Sequence, residues 1–196
     1  VLYFVVLMIS YDGLKHPKIY LKKFLNWCIY SLLAGGLAAC LLLPEMYTFS
    51  LSASSDISFP KTLTCYFSVL QMLTRQLMDI PVHLGLEHYP NIYCGVAIFI
   101  LIPLYVMNKK VSSREKIGKM VLLLIFLLAF NLNIPNFIWH GLHYPNSLPC
   151  RQAFIYIFFL ITMSYEAFHN IKSANTKQLG AAVWIAIGFL LIAEQI

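Results

Sequence analysis

Residues 24–43 read FLNWCIYSLLAGGLAACLLL, a run of 20 residues without a single Asp, Glu, Lys or Arg. An α-helix rises about 1.5 Å per residue, so a run of this length matches the roughly 30 Å hydrocarbon core of a bilayer. The run follows Lys22 and Lys23 and is succeeded by Pro44 and Glu45. It therefore predicts a transmembrane helix, and it sets the class of the whole chain.

The remainder of the chain has the same character. Of its 196 residues, 60% are hydrophobic and 11% are charged, against about 25% charged in soluble domains. Further apolar runs lie at 1–10, which is a partial crossing, and at 92–107, 120–134, 154–168 and 179–196. They predict an all-α, polytopic transmembrane helix bundle with about five crossings plus the partial one. Residues 1–196 are interpreted as a fragment of a larger transmembrane domain, with no separate soluble domain.

The basic residues indicate which loops lie inside the cell. Of the 14 Lys and Arg residues, 11 lie in the segments 11–23, 108–119 and 169–178. All three segments fall on one side if the crossings alternate, and basic loops are typical of the cytoplasmic side. The loops 44–90 and 135–152 are then predicted to lie outside the plasma membrane. The formal charge of +6 thus indicates topology rather than a nucleic-acid partner.

The long outer loop, 44–90, contains an apolar stripe with helical spacing. Leu63, Phe67, Leu70 and Leu77 share one face, while polar residues such as Arg75 turn away from it. The pattern predicts an amphipathic helix over 61–78. Such a helix either lies along the membrane interface or packs on the bundle, and the pattern supports both.

Polar side chains are densest between Asn136 and Arg151. His140 and His143 are three residues apart, which suits one helical face, but no acidic residue lies in the same loop and zinc sites usually need three or four ligands. Interfacial residues facing water are therefore favoured over a metal site. Arg151, at the mouth of the crossing 154–168, suits either an anchor among lipid headgroups or a ligand for a phosphate.

Two carboxylates lie near the predicted membrane boundaries. Glu45 follows Pro44 at the outer end of a crossing, where a carboxylate is costly unless it is paired or hydrated. It is therefore a candidate catalytic residue. Glu166, near the inner end of the crossing 154–168, is expected to reach the basic cytoplasmic face.

Three stretches of sequence, taken in order and spacing, resemble the YfhO family of bacterial membrane proteins over about residues 15–170. They are Pro90-Asn91-Ile92-Tyr93-Cys94-Gly95, the basic connector Asn108-Lys109-Lys110, and the run from Trp139-His140-Gly141 to Leu148-Pro149-Cys150-Arg151. The chain departs from the family pattern in two places. Cys150 stands where the pattern has Tyr, and Gln152 replaces an aromatic residue.

The resemblance implies a GT-C-type glycosyltransferase that moves a sugar from a polyprenyl-phosphate carrier to a cell-surface polymer such as teichoic acid. It implies a catalytic carboxylate in a first outer loop, which would precede Val1. The candidate residues for binding substrate or lipid phosphate are Arg151, Arg75, Trp139, His140, Asn146 and Tyr93. No cofactor is expected, with a divalent metal as the alternative. The competing functions are a non-enzymatic transporter or flippase for lipid-linked sugars, and a scaffold.

Overall fold

The computed structural model describes residues 5, 15–51, 59–84, 89–145 and 148–196. Within these ranges the chain forms seven α-helices and no β-strand. They are α1 (Pro17–Ser50), α2 (Val69–Thr74), α3 (Ile98–Met107), α4 (Ser113–Asn131), α5 (Asn133–Trp139), α6 (Ala153–His169) and α7 (Thr176–Ala193), with a 3₁₀ turn at Ile171–Ser173. The predicted all-α class is confirmed for this part of the chain.

Helix α3 lies at the centre of the packing and contacts both α6 and α7. On α6 the residues Tyr156, Leu160, Met163 and Ala167 form one buried stripe, as the spacing of an amphipathic helix requires. On α7 the buried positions are the small residues Ala182, Ala186 and Ala193. Small side chains allow two helix backbones to approach closely, which is typical of helix contacts inside membranes.

Two helices are long and apolar enough to cross a membrane, namely Pro17–Thr48 within α1 and Thr176–Ala193. Helices α3 and α6 are apolar but shorter. Helix α4 has a suitable length, but its first two turns contain Arg114, Glu115, Lys116 and Lys119. The predicted count of five crossings is therefore not confirmed among the described residues.

Helix α1 extends well beyond the predicted crossing 24–43. It has 34 residues and continues through Pro44 to Ser50, so residues 44–50 are helical rather than part of a loop. Its side chains are exposed along most of its length, with Tyr20 buried near its start. An apolar helix with so little burial has the surface expected of a helix surrounded by lipid.

The predicted helix over 61–78 is wrong in its extent, because α2 covers only Val69–Thr74. Residues 62–67 instead pair with the end of α4, and Cys65 forms an isolated antiparallel bridge with Leu132. On the predicted apolar face, Phe67 is buried, and Leu63 and Leu70 are exposed. The prediction is wrong for Arg75, which was expected to turn away from that face but is only 8% exposed.

Proline and asparagine explain this pairing. In a continuous helix the carbonyl of Asn131 would accept a hydrogen bond from residue 135, but Pro135 has no N–H. The Asn131 carbonyl accepts the N–H of Tyr66 instead, at 2.9 Å. The helical conformation is interrupted at Leu132, which lies between α4 and α5. The predicted crossing 120–134 is thus replaced by a helix that ends at Asn131.

Asn133 completes the attachment of the 62–67 segment. Its side-chain Oδ1 accepts the N–H of Thr64 at 2.9 Å, and its Nδ2 donates to the carbonyl of Thr62 at 2.8 Å. The side chain of Asn131 accepts the N–H of Phe67 at 3.1 Å. Because these bonds use the backbone groups of residues 62–67, that segment cannot also form helical hydrogen bonds.

Helix α3 begins at Ile98, six residues later than the predicted crossing at 92. Gly95 has a φ of +106°, a conformation that side chains other than glycine rarely adopt, so the helix cannot extend back through it. Asn91 does not cap this helix, whose N-cap residue is Ala97. The Oδ1 of Asn91 accepts hydrogen bonds from Arg75 and from the N–H of His83.

The bundle has two polar ends, joined by helices α3, α4 and α6. We call residues 107–119 and 166–178 the lysine end, and residues 62–84, 89–92, 131–145 and 148–152 the asparagine end. At the lysine end the buried ammonium of Lys119 lies 2.9 Å from Glu115 and 2.7 Å from Glu166. The predicted reach of Glu166 to the basic segment is confirmed by this contact.

Candidate functional site

The asparagine end gathers most of the predicted binding residues, and Asn136 lies at its centre. Asn136 is fully buried, and its Nδ2 donates to the carbonyls of Ala129 and Pro149, both at 3.0 Å. One amide thus ties together α4, α5 and the turn before α6. Its Oδ1 is buried and has no hydrogen-bond partner among the described residues.

His140 lies one helical turn after Asn136. Its Nδ1 is 2.8 Å from the carbonyl of Asn136, and since a carbonyl only accepts, Nδ1 carries the proton. In the neutral ring Nε2 is then an acceptor, and it is buried without a partner in the described part of the chain. This is the geometry of a group that can accept a hydrogen bond from a hydroxyl.

The electrostatic surroundings keep His140 neutral. Burial is the main cause that lowers the pKa of the imidazole below its usual value near 6.5, and the proximity of Arg151 and His143 lowers it further. The hydrogen bond to the Asn136 carbonyl opposes this shift. At neutral pH the Nε2 lone pair therefore remains available.

Gln152 was missed as a site residue in the sequence, although its departure from the family pattern was visible. It is 3% exposed and directly precedes α6. Neither its Oε1 nor its Nε2 finds a hydrogen-bond partner among the described residues. A buried polar group without a partner costs about 1–3 kcal/mol, so water or a ligand is the expected partner for this amide.

Arg151 is exposed, next to the buried Gln152. It lines a cavity of about 290 Å³ together with Tyr89, Asn91 and Cys150. Burial raises the pKa of the Cys150 thiol to about 12, so this cysteine is a neutral thiol and not a nucleophile. Arg151 is therefore the cation that this cavity presents.

Arg75, the second predicted phosphate ligand, has a different environment. It is buried, and its guanidinium donates to the carbonyls of Pro81 (2.7 Å) and Pro90 (3.2 Å) and to Asn91 Oδ1 (3.0 Å). It also lies 5.8 Å from the ring centre of Tyr89. These contacts fix the loop between α2 and α3, so the geometry gives Arg75 a structural role. A phosphate-binding role for it stays a prediction.

The other predicted residues are dispersed. Trp139 packs edge-on against Phe126, with ring centres 4.9 Å apart, and so belongs largely to the core. Tyr93 is 42% exposed in the segment before α3. Glu45 is exposed on α1, which has no extensive contact with the other described helices. Asn146 lies outside the described residues.

An apolar groove of about 790 Å³ runs along α3, α4 and α7. Its walls include Ile98, Ile102, Leu124 and Phe189, with Gln76 as a polar residue at the asparagine end. At the lysine end it is bordered by Ser113 and Lys116. The groove has the size and apolar lining of a site for a hydrocarbon chain.

Comparison with known families shows which family the chain belongs to. The model of the family described as bacterial membrane protein YfhO matches residues 1–194. The chain belongs to the YfhO family. The resemblance seen in the sequence is thereby confirmed, and the chain is a membrane protein. No curated protein and no solved structure matches it. Among the described residues, no group of three or more His, Cys, Asp and Glu side chains could hold a metal ion.

Proposed function

We propose that the chain is part of a membrane glycosyltransferase that transfers a sugar from a polyprenyl-phosphate carrier to a cell-surface polymer of the teichoic-acid type. The observation that carries the proposal is a set of buried polar atoms at the asparagine end, on Asn136, His140 and Gln152, that have no hydrogen-bond partner among the described residues. A sugar is rich in hydroxyl groups, each able to donate and accept, and so matches a mixed set of amide and imidazole atoms.

Each part of a lipid-linked sugar has a counterpart in this arrangement. Arg151 offers a planar, permanently charged group to the carrier phosphate. His140 Nε2 and the amide of Gln152 offer hydrogen bonds to sugar hydroxyls. The apolar groove that begins at Gln76 accommodates the prenyl chain, since its walls are almost entirely hydrocarbon. The catalytic carboxylate is not assigned, and Glu45 remains its candidate within this chain.

The proposal includes a multi-pass topology in the bacterial plasma membrane. The asparagine end would face outward and the lysine end the cytoplasm, because basic segments are retained inside. The test is labelling of a Ser112→Cys variant in intact cells with a thiol reagent that cannot cross membranes. The expected result is labelling only after the cells are opened, and labelling before that would refute this orientation.

Arg151 provides the sharpest test of the enzyme proposal. A charge-assisted hydrogen bond is worth about 1.5–3 kcal/mol, so Arg151→Ala should lower sugar incorporation roughly 10-fold or more. Arg151→Lys should lower sugar incorporation less than Arg151→Ala does, because lysine keeps the positive charge. It should still lower it, because lysine lacks the planar guanidinium that can donate two parallel hydrogen bonds. The measurement is incorporation in cells with the intact protein, normalised to membrane-inserted protein. Arg114→Ala, an exposed arginine at the lysine end, is the matched control and should have no effect.

Normal incorporation per molecule in Arg151→Ala would show that Arg151 is only an interfacial anchor. Lower protein level with unchanged incorporation per molecule would lead to the same conclusion. The phosphate role requires that turnover falls while the amount of inserted protein stays constant.

The groove supports a second candidate, a flippase for lipid-linked sugars. It has polar residues at both ends, with Gln76 at one and Lys116 at the other, as a path for a lipid between two leaflets would require. Vesicles containing the intact protein and a labelled polyprenyl-phosphate sugar separate the two functions. Movement of the label between leaflets without transfer to an acceptor supports the flippase, and transfer to an acceptor supports the enzyme.

A further inference from the structure

A small polar pocket lies at the lysine end, away from the proposed sugar site. It has a volume of about 210 Å³ and forms where α3 and α6 end and α7 begins. The helix Thr176–Ala193 is long and apolar enough to cross a membrane, and in the proposed topology its first residue lies at the boundary of the bilayer. The pocket therefore lies at the level of the lipid headgroups on that side.

Four of the hydrogen-bond acceptors around this pocket are already engaged. Asn108 Oδ1 accepts the N–H of Lys110 at 2.9 Å, and Asn175 Oδ1 accepts the N–H of Gln178 at 2.8 Å. The carbonyl of Met107 accepts Gln178 Nε2 at 2.9 Å, and that of Asn170 accepts the hydroxyl of Ser173 at 2.6 Å. These four acceptors are already used, and the lining also contains hydrogen-bond donors that can meet a ligand.

The strongest of these donors are the ammonium groups of Lys109 and Lys110. Both side chains are exposed, both line the pocket, and its lining contains no Asp or Glu. The two carboxylates of the lysine end, Glu115 and Glu166, are both held by Lys119. This group keeps a net charge of −1, but neither carboxylate lines the pocket, so the described lining is itself positively charged. A positive pocket at the bilayer boundary selects for an anion.

We propose that this pocket binds the phosphate group of an anionic membrane phospholipid, through Lys109 and Lys110. The apolar residues Leu104 and Ile171, which also line it, would contact the start of the acyl chains. A phosphate from a soluble compound has the same chemistry, but the position at the end of a membrane span favours the lipid. This site is separate from the proposed sugar site and does not depend on it.

The test uses the full chain in a non-ionic detergent. It is titrated with short-chain phosphatidylglycerol, with short-chain phosphatidylcholine and with glycerol phosphate, and the unfolding temperature reports binding. Each lysine near a lipid surface contributes a factor of roughly 5, so Lys109→Gln with Lys110→Gln should weaken phosphatidylglycerol binding about 30-fold. Lys110→Gln alone should weaken it about 5-fold. Exchange of both lysines for Arg should preserve it.

The matched control is Lys172→Gln with Lys177→Gln, which removes the same charge from the lysine end but from residues outside the pocket. Its effect should stay below about 3-fold, which is less than a single direct lysine contact contributes. Equal weakening by both pairs would mean diffuse surface attraction and would overturn the site. Protection by glycerol phosphate at the same concentrations as phosphatidylglycerol would overturn the lipid assignment, as would equal protection by phosphatidylcholine.

Discussion

The lysine end and the asparagine end both bury polar side chains, but they differ in how those side chains are satisfied. At the lysine end, Lys119 is only 3% exposed, and its ammonium lies within 3 Å of two carboxylates. At the asparagine end, Gln152 is equally buried, and its amide has no partner among the described residues. A buried charge with its counter-ions maintains a fold, whereas a buried amide without partners is an incomplete site.

The two ends also differ in what they connect. Lys119 joins α4 to α6 through Glu166, and its ammonium lies 5.2 Å from the ring centre of Tyr105 on α3. The side-chain amide of Gln152 forms no hydrogen bond to any described residue, although Gln152 directly precedes α6. Removing Lys119 should therefore damage the fold, and removing Gln152 should spare it. Three predictions test this difference.

The largest effect is expected for Lys119→Ala. Removing one partner of a buried ion pair usually costs about 3–5 kcal/mol, and here about 2–3 kcal/mol is expected because both carboxylates keep roughly a third of their exposure. The measurement is the free energy of unfolding in detergent, with Lys172→Ala as an exposed control. If Lys119→Ala loses no more free energy of unfolding than the control does, the ion pairs of Lys119 contribute no more than ordinary surface ion pairs.

A smaller effect of opposite sign is expected for Gln152→Leu. Replacing an unpaired buried amide by an apolar group of similar size should raise the free energy of unfolding by about 1–2 kcal/mol, while sugar incorporation by the intact protein falls. The matched variant Asn136→Leu should lose stability, because its Nδ2 bonds to two carbonyls. If Gln152→Leu destabilises the protein as Asn136→Leu does, the amide has a structural partner and the proposed site is wrong.

The smallest effect concerns pH and His140. Its pKa is lowered in the folded protein, so between that value and about 6.5 the unfolded chain binds more protons than the folded one. The free energy of unfolding should therefore fall as the pH drops below about 6.5, by at most about 1.4 kcal/mol per pH unit. His140→Gln should flatten this dependence, and His143→Gln should leave most of it. If the pH dependence of the free energy of unfolding is unchanged in His140→Gln, a group other than His140 takes up the proton.

The helices of the bundle were largely predictable, since apolar runs such as 24–43, 154–168 and 179–196 are local signals. Each of these runs lies mostly within a helix of the structure, namely α1, α6 and α7. Their ends were less predictable. Helix α4 ends early because Pro135 cannot donate a backbone hydrogen bond, and this proline is visible in the sequence. The same rule predicts an interruption at Pro44, yet α1 continues through that residue.

The site was only partly predictable because its geometry comes from contacts between distant residues. Arg151 and His140 were identified from their polarity in an apolar chain. The burial of Arg75 was not, since helical spacing alone placed it on an exposed face. Gln152 shows the same limit. A polar residue in the place of an aromatic one was visible, but only the packing shows that its amide is enclosed.

The attachment of residues 62–67 to the end of α4 has a consequence for the order in which the protein is made. The hydrogen bonds that join Thr62, Thr64 and Phe67 to the two asparagines span 71, 69 and 64 residues of sequence. During synthesis, residues 62–67 therefore leave the ribosome well before their partners exist. At a typical 5–20 residues per second, this segment waits for several seconds at the membrane surface. Its final conformation is fixed only when Asn133 has been made, so residues 62–67 mature after α2, α3 and α4 have been synthesised.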